Sequence, residues 1–223
     1  MKHLSRRKML GIIGVAAPLA GGALTQVSGQ DTNGSAISSR ELIRQRYFPN
    51  LVLTTQKGKQ VRFYDDLIKD KIVLINMMYA KCEGICVPVT MNLKQVQKLL
   101  GDRVGRDIFI YSITLKPEED TPMMLEHYAH MHHVGPGWFF LTGAPQDIET
   151  LRRNLGFTNP DPKLDADKTQ HIGMVRYGNE ALQLWAACPG MANPSWLAES
   201  VSWVDWPKTG SRATQRTEKG ERK

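Results

Sequence analysis

The stretch Ile72-Val-Leu-Ile-Asn-Met-Met-Tyr-Ala-Lys-Cys82-Glu-Gly-Ile-Cys86-Val-Pro88 decides the fold. Lys71 to Tyr79 is a continuous β-branched and apolar run, which predicts a central strand covered on both faces. From Val87 to Leu100 the pattern changes. Val89, Leu93, Val96, Leu99 and Leu100 recur at helical spacing and Gly101 closes the segment. A buried strand followed by a short loop and a helix is the opening of a β-α unit, and two cysteines lie in that loop.

Working outward, the same alternation continues. Leu51–Thr54 and Gln60–Phe63 flank Lys57–Gly58 and predict a hairpin. Asp107–Leu115 predicts a second buried strand. Thr121–His133 predicts a helix with Thr121 as N-cap and Pro122 in the first turn. Trp138–Leu141 predicts a strand and Pro145–Leu155 a helix stopped by Gly156. His171–Tyr177 and Ala181–Ala187 predict two strands around a turn at Gly178–Asn179. Pro194–Val204 predicts a last helix capped by Asn193. The expected fold is an α/β sandwich with a central mixed sheet and flanking helices.

The 223 residues suit one domain with tails, and 41% hydrophobic residues suffice for a core. The formal charge is +7. Residues 1–30 carry +4 (Lys2, Arg6, Arg7, Lys8), and residues 207–223 carry six Lys/Arg and two Glu, again +4, so 31–206 carry 7 − 4 − 4 = −1. A near-neutral body with basic ends argues against nucleic-acid binding, which needs a basic patch on the fold itself. Residues 1–30 read as an export signal. A basic start precedes an apolar run from Met9 to Leu24, shorter than the ~20 residues of a bilayer span. Arg6–Arg7 within Ser5-Arg-Arg-Lys8-Met9-Leu10 gives it twin-arginine character. The expected location is the periplasm or the outer face of the cytoplasmic membrane, with the N-terminus near the membrane. Residues 31–45 read as linker, 46–206 as the folded domain, and 207–223 as a disordered basic tail.

Cys82 and Cys86 are four apart, so on a near-helical turn they face the same side. Gly84 lets the loop fold tightly, and the following helix N-terminus favours thiolate. Two thiolates on one loop make a soft site suited to Cu(I) or Zn(II). The competing readings are a plain disulfide, which closing so short a loop would contribute little stability, and a redox pair, more often spaced Cys-x-x-Cys.

The stretch from Ile72 to Pro88 resembles the core of the Sco/SenC copper-chaperone family, of thioredoxin-like fold, which keeps a Cys-x-x-x-Cys pair after its first central strand. Tyr111-Ser-Ile-Thr-Leu-Lys-Pro117-Glu-Glu-Asp120-Thr121-Pro122 resembles that family's Ser-x-Asp-Pro-x-x-Asp-Thr-Pro segment. Thr169-Gln170-His171-Ile-Gly-Met-Val-Arg resembles the strand with its single histidine ligand. The resemblance runs from about Leu51 to Val204. It implies that Cys82, Cys86 and His171 bind one copper, as Cu(I) or Cu(II). It implies a metallochaperone, with a client such as a cytochrome oxidase subunit and a thiol reductant as partners. The chain departs from the pattern at Gln170, where the family has Asp, and at Leu115–Lys116, where its strand-end Asp is missing. The residue types agree with the implied site. Cu(I) accepts two thiolates, and an imidazole nitrogen suits Cu(II). The alternative is a thiol-disulfide oxidoreductase using Cys82 and Cys86 alone. It expects a cis-proline facing the Cys loop, which Asp167-Lys-Thr-Gln170-His171 lacks. A thiol peroxidase needs Pro and Thr/Ser just before its cysteine, and Tyr79-Ala-Lys-Cys82 lacks both.

Three other features stand apart. His127, His130, His132 and His133 cluster with Met123, Met124 and Met131. They read either as a second, weaker copper site or as an exposed polar helix face with Met packed inward. Cys188 reads as a buried small hydrophobe, with an exposed thiol that resolves a mixed disulfide as the alternative. Trp196 and Trp203, seven apart, read as core packing of the last helix.

Overall fold

A computed structural model describes residues 37–168 and 173–205. The export segment, residues 31–36 of the stretch read as linker, the basic tail and His171 lie outside the described residues.

Among the described residues, seven strands form one mixed sheet in the order β2-β1-β5-β4-β3-β6-β7. The hairpin β1 (Val52–Thr55) and β2 (Gln60–Arg62) sits at one edge. β3 (Ile72–Met78), β4 (Ile108–Thr114) and β5 (Trp138–Gly143) are parallel, and β6 (Met174–Asn179) runs antiparallel to β3 with β7 (Leu184–Pro189) outside it. Every residue of β3 is buried, as its unbroken apolar run requires. Helix α1 is Ser39–Tyr47, α2 Cys86–Leu100, α3 Pro122–Met131, α4 Pro145–Asn154, α5 Pro162–Ala166 and α6 Pro194–Trp203.

One sheet face, carrying Asn76, Ser112 and Phe140, is covered by α2, α3 and α6. α2 packs on α6, Tyr128 of α3 shares a 2.9 Å hydrogen bond with Thr90 of α2, and Tyr128 meets Phe140 edge-on. α2 inserts Val89, Leu93, Val96 and Leu100 at helical spacing. Across this face Trp138 Nε1 donates to Ser112 Oγ (2.9 Å), which donates to Asn76 Oδ1 (2.7 Å). This polar chain threads three neighbouring strands. The other face, carrying Ile75 and Arg176, is covered by α1 and α4, which touch each other.

The capping residues read from the sequence hold. Thr121 accepts from Met124 N–H and Asn193 from Ser195 and Trp196 N–H. Four expectations change. Residues 39–45, read as linker, belong to α1. Its N-cap Ser38 accepts from Glu41 N–H, and Arg40 pairs with buried Glu180 at the end of β6. Burial alone would raise the Glu180 carboxyl. Bonds from Arg40, Asp70 N–H and Tyr64 instead hold it at about 2. The turn expected at Gly178–Asn179 falls at residues 180–183, with Gln183 at φ 55°. Gly178 is a strand residue, and it is glycine because a Cβ there would collide with the Trp185 ring and stand 2.5 Å from Leu184 O. Trp196 and Trp203 are 45% and 61% exposed, because α6 buries Leu197, Ala198 and Val201 instead. Met123 and Met131 do not pack inward. They are 77% and 56% exposed, while Leu125, Tyr128 and Ala129 fill the inner face of α3.

Candidate metal centre

The C-terminal ends of the parallel strands β3 and β4 form the platform. Leu115 N–H donates to Met78 O (2.7 Å), closing the two strand ends together. Beyond β4, the buried Asp120 carboxylate accepts from Thr114 Oγ1 at 2.6 Å and from Ala80 N–H at 3.0 Å. Thr114 in turn accepts from Lys116 N–H. Asp120 therefore ties the segment before α3 to the residue two ahead of Cys82. Burial raises its carboxyl above the usual range, and the Thr114 and Ala80 bonds oppose that rise. Lys116, one of the departures from the family pattern, lies 4.5 Å over the Tyr79 ring, a cation–π contact at the rim.

Cys82 and Cys86 are both buried thiols in this structure. The α2 N-terminus has Ile85 at its cap position and no side-chain cap of the usual kind. The Cys82 thiol lies on the loop just before it and feels the backbone N–H groups of Cys86 and Gly84, the Cys86 thiol and the Tyr79 hydroxyl as donors. Burial pushes the Cys82 thiol up, but these donors outweigh it and bring it below its ordinary value. Cys86 goes the other way. Burial raises it, and donating to Cys82 raises it further. Tyr79 is pushed up to about 12, first by burial and then by its bond to Cys82. The two thiols are thus unequal, Cys82 drawn toward thiolate and Cys86 held as thiol. With the folded protein at neutral pH, iodoacetamide is expected to modify Cys82 well before Cys86. Peptide mapping over time checks this, and equal rates would contradict the asymmetry.

The loop is also held from the β6 side. Ile85 lies against Gly173, where a Cβ would collide with its side chain. Gly190 N–H donates to Gly173 O (2.7 Å), and Asn92 Nδ2 donates to Gly190 O and Ala192 O (both 2.8 Å). The strand entering at Gly173 and the turn after β7 therefore meet the Cys loop and the first turns of α2. His171 lies two residues before Gly173 and outside the described residues. Among the described residues, no three His, Cys, Asp or Glu side chains group to hold a metal ion. Cys188 is buried in β7 opposite Val175, and burial alone raises its thiol to about 11. That keeps it protonated and unreactive.

The sequence pointed to Cys82 and Cys86. It gave no sign of Tyr79 or of the Gly173–Ile85 contact, because both act through tertiary placement. Asp120 was visible only as part of the segment that bears the family likeness.

The comparisons with known proteins agree with this architecture. The SCO1 protein homolog of Bacillus subtilis (strain 168) is 33% identical over 92 residues, 41% of this chain and 46% of that protein. The matched stretch thus spans less than half of that relative. A copper-bound ScoI structure from Bradyrhizobium japonicum aligns with a TM-score of 0.56 at 22% identity, over 69% of this chain and 96% of that one. The structure of BsSco, a member of the Sco family of cytochrome c oxidase assembly proteins with a disulfide switch, aligns with a TM-score of 0.57 at 23% identity, over 71% of this chain and 92% of that one. These likenesses establish the thioredoxin-like α/β fold. The SCO1/SenC family profile matches residues 40–204, from the second residue of α1 to the end of α6, and the chain belongs to that family.

Proposed function

We propose that this chain is an exported copper metallochaperone. Cys82, Cys86 and His171 hold one copper ion as cargo and pass it to a cuproprotein client. The observation that carries the reading is two buried free thiols on one loop at the head of α2, with Cys82 drawn below its ordinary value and Cys86 pushed above it. Such a pair binds Cu(I) with little else, and an imidazole nitrogen from His171 extends the site to Cu(II). The copper bound by ScoI of Bradyrhizobium japonicum supports the cargo. The place of BsSco among cytochrome c oxidase assembly proteins supports a cytochrome oxidase subunit as client. Loading requires both cysteines reduced, so a thiol reductant is the second partner. Export by residues 1–30 would put the work on the outer side of the cytoplasmic membrane, with the basic N-terminus near anionic lipid.

A second reading has its own support. Unequal thiols on one loop are what disulfide exchange uses, with Cys82 attacking and Cys86 resolving, and a disulfide switch has been identified in BsSco. Copper titration of the reduced protein separates the two. One copper per chain is expected. Cu(II) binding is weakened at least tenfold in His171→Ala, and all tight binding is lost in Cys82→Ser. No tight copper binding, with a disulfide turning over rapidly against thiols, would overturn the chaperone reading.

A further inference from the structure

Outside the Cys loop, the soft-metal donors gather on the outer face of α3. Met123, His127, His130 and Met131 are all exposed, the two methionines strongly so. At ~100° per residue these four fall within an arc of about 100° on the helix. His127 has Met123 one turn before it, Met131 one turn after it and His130 at i+3. Cβ atoms at these spacings lie ~5–6 Å apart, within reach of one shared ion. The inner face is anchored separately by Leu125, Tyr128 and Ala129 and by the Tyr128–Thr90 hydrogen bond, so packing does not demand the outer residues. Exposed methionine gains nothing from burial, and what it still offers is a neutral thioether. Thioether and imidazole are ligands for Cu(I).

The place of the stripe matters as much as its content. α3 begins two residues after Asp120, whose carboxylate holds Ala80 N–H beside the Cys loop. Met123 is therefore the end of the stripe nearest that loop, and Met131 lies ~12 Å further along the helix. Glu126, also exposed, adds a negative charge one turn before His130 and favours a cation there.

We propose that the outer face of α3 is a low-affinity Cu(I) landing site, in which His127 shares the ion with Met123 or Met131, and from which copper passes to Cys82 and Cys86. The inference rests on the copper reading above. Neutral ligands hold Cu(I) more weakly than thiolates, so transfer runs toward the loop. In that step the ion remains Cu(I). A sulfur–copper bond forms at each cysteine as the imidazole and thioether bonds break, and the thiol protons pass to water.

The test has two arms. In the full chain carrying Cys82→Ser and Cys86→Ser, Ag(I) serves as a redox-silent probe, followed through the methionine methyl and histidine ring NMR signals. One equivalent is expected to shift Met123, His127 and Met131 selectively, and Met123→Leu with Met131→Leu to weaken binding at least tenfold. Unmoved signals, or equal shifts at all ten methionines, would overturn the site. With the cysteines intact, loading from a Cu(I)–acetonitrile complex is expected to slow at least fivefold in His127→Ala/Met131→Leu, with the final stoichiometry unchanged. An unchanged loading rate would overturn the transfer role. A stripe that binds Ag(I) in a protein whose intact cysteines take no copper would sink the chaperone reading alone.

Discussion

Replacing Arg152 by methionine is expected to lower the unfolding free energy by about 3 kcal/mol and the melting temperature by roughly 6–12 °C. The Arg152 side chain is almost wholly buried. Its five N–H donors are all used. Nε and Nη2 bond the Glu149 carboxylate (2.9 and 2.8 Å), Nη1 and Nη2 bond Asp165 (2.6 and 2.7 Å), and Nη1 also reaches Phe157 O (2.9 Å). Asp165 takes Asn159 N–H as well, and Glu149 takes Lys168. One guanidinium thus closes the whole excursion from α4 through α5 to Lys168. Methionine fills the volume but leaves two carboxylates and a carbonyl without their partner. Because both carboxylates are partly solvated, the lower end of the range for a broken buried pair applies. The loss has a signature in acid. Arg152 holds Glu149 down at about 2 and also depresses Asp165. Groups depressed in the folded state contribute stability that is complete above their unfolded pKa and is lost as pH falls through the folded one. The difference between wild type and variant should therefore be full at neutral pH and shrink from about pH 4.5 toward 2. Urea unfolding across that window checks it, and a gap independent of pH would refute the ionic account. The segment so released leads into residues 169–172, so Cu(II) binding in the variant should weaken more than Cu(I) binding.

The second large effect is expected at Gly137. Gly137 (φ 79°) and Gly105 (φ 95°) face each other, joining the turns that precede β5 and β4. A Cβ on Gly137 would stand 2.5 Å from Gly105 Cα and closer still to Gly105 N. These are backbone atoms that no rotamer change can move. Gly58 has nearly the same φ, 76°, but nothing within 4 Å of its added Cβ. Gly58→Ala should therefore cost only the left-handed backbone penalty, about 1 kcal/mol. Gly137→Ala adds displacement of packed chain and should cost about 3 kcal/mol or more. Chemical denaturation of both variants isolates the contact term by subtraction. Equal losses would show that the two turns move apart freely.

Strands β3 and β4, helix α2 and the caps Thr121 and Asn193 could be read directly, because each is fixed by local periodicity or by a side chain bonding its own backbone. The two thiols could be read as a pair for the same reason. Helix α1 could not, since its docking depends on one distant pair, Arg40 with Glu180. Gly178 misled because a glycine beside an asparagine reads as a turn, whereas here it makes room for Trp185. The spacing of Trp196 and Trp203 correctly puts them on one face of α6, but spacing alone does not say which face meets the core. The inequality of Cys82 and Cys86 depends on Tyr79 and on the direction of backbone N–H groups, which only the folded chain assembles.

The polar chain from Trp138 through Ser112 to Asn76 acts as a proofreading device for the sheet. Apolar strands such as β3 and β4 grip almost equally well in several alignments, because Val, Ile and Leu can replace one another against a neighbour. Three buried polar groups cannot be interchanged in that way. A one-residue slip of β3 sends Asn76 to the opposite face, and a two-residue slip leaves it beside the wrong partner. Either strands polar groups at about 1–3 kcal/mol each. Misaligned sheets are thus rejected during folding, and the two strand ends that carry the cysteine loop and Asp120 arrive level with each other before any metal is present.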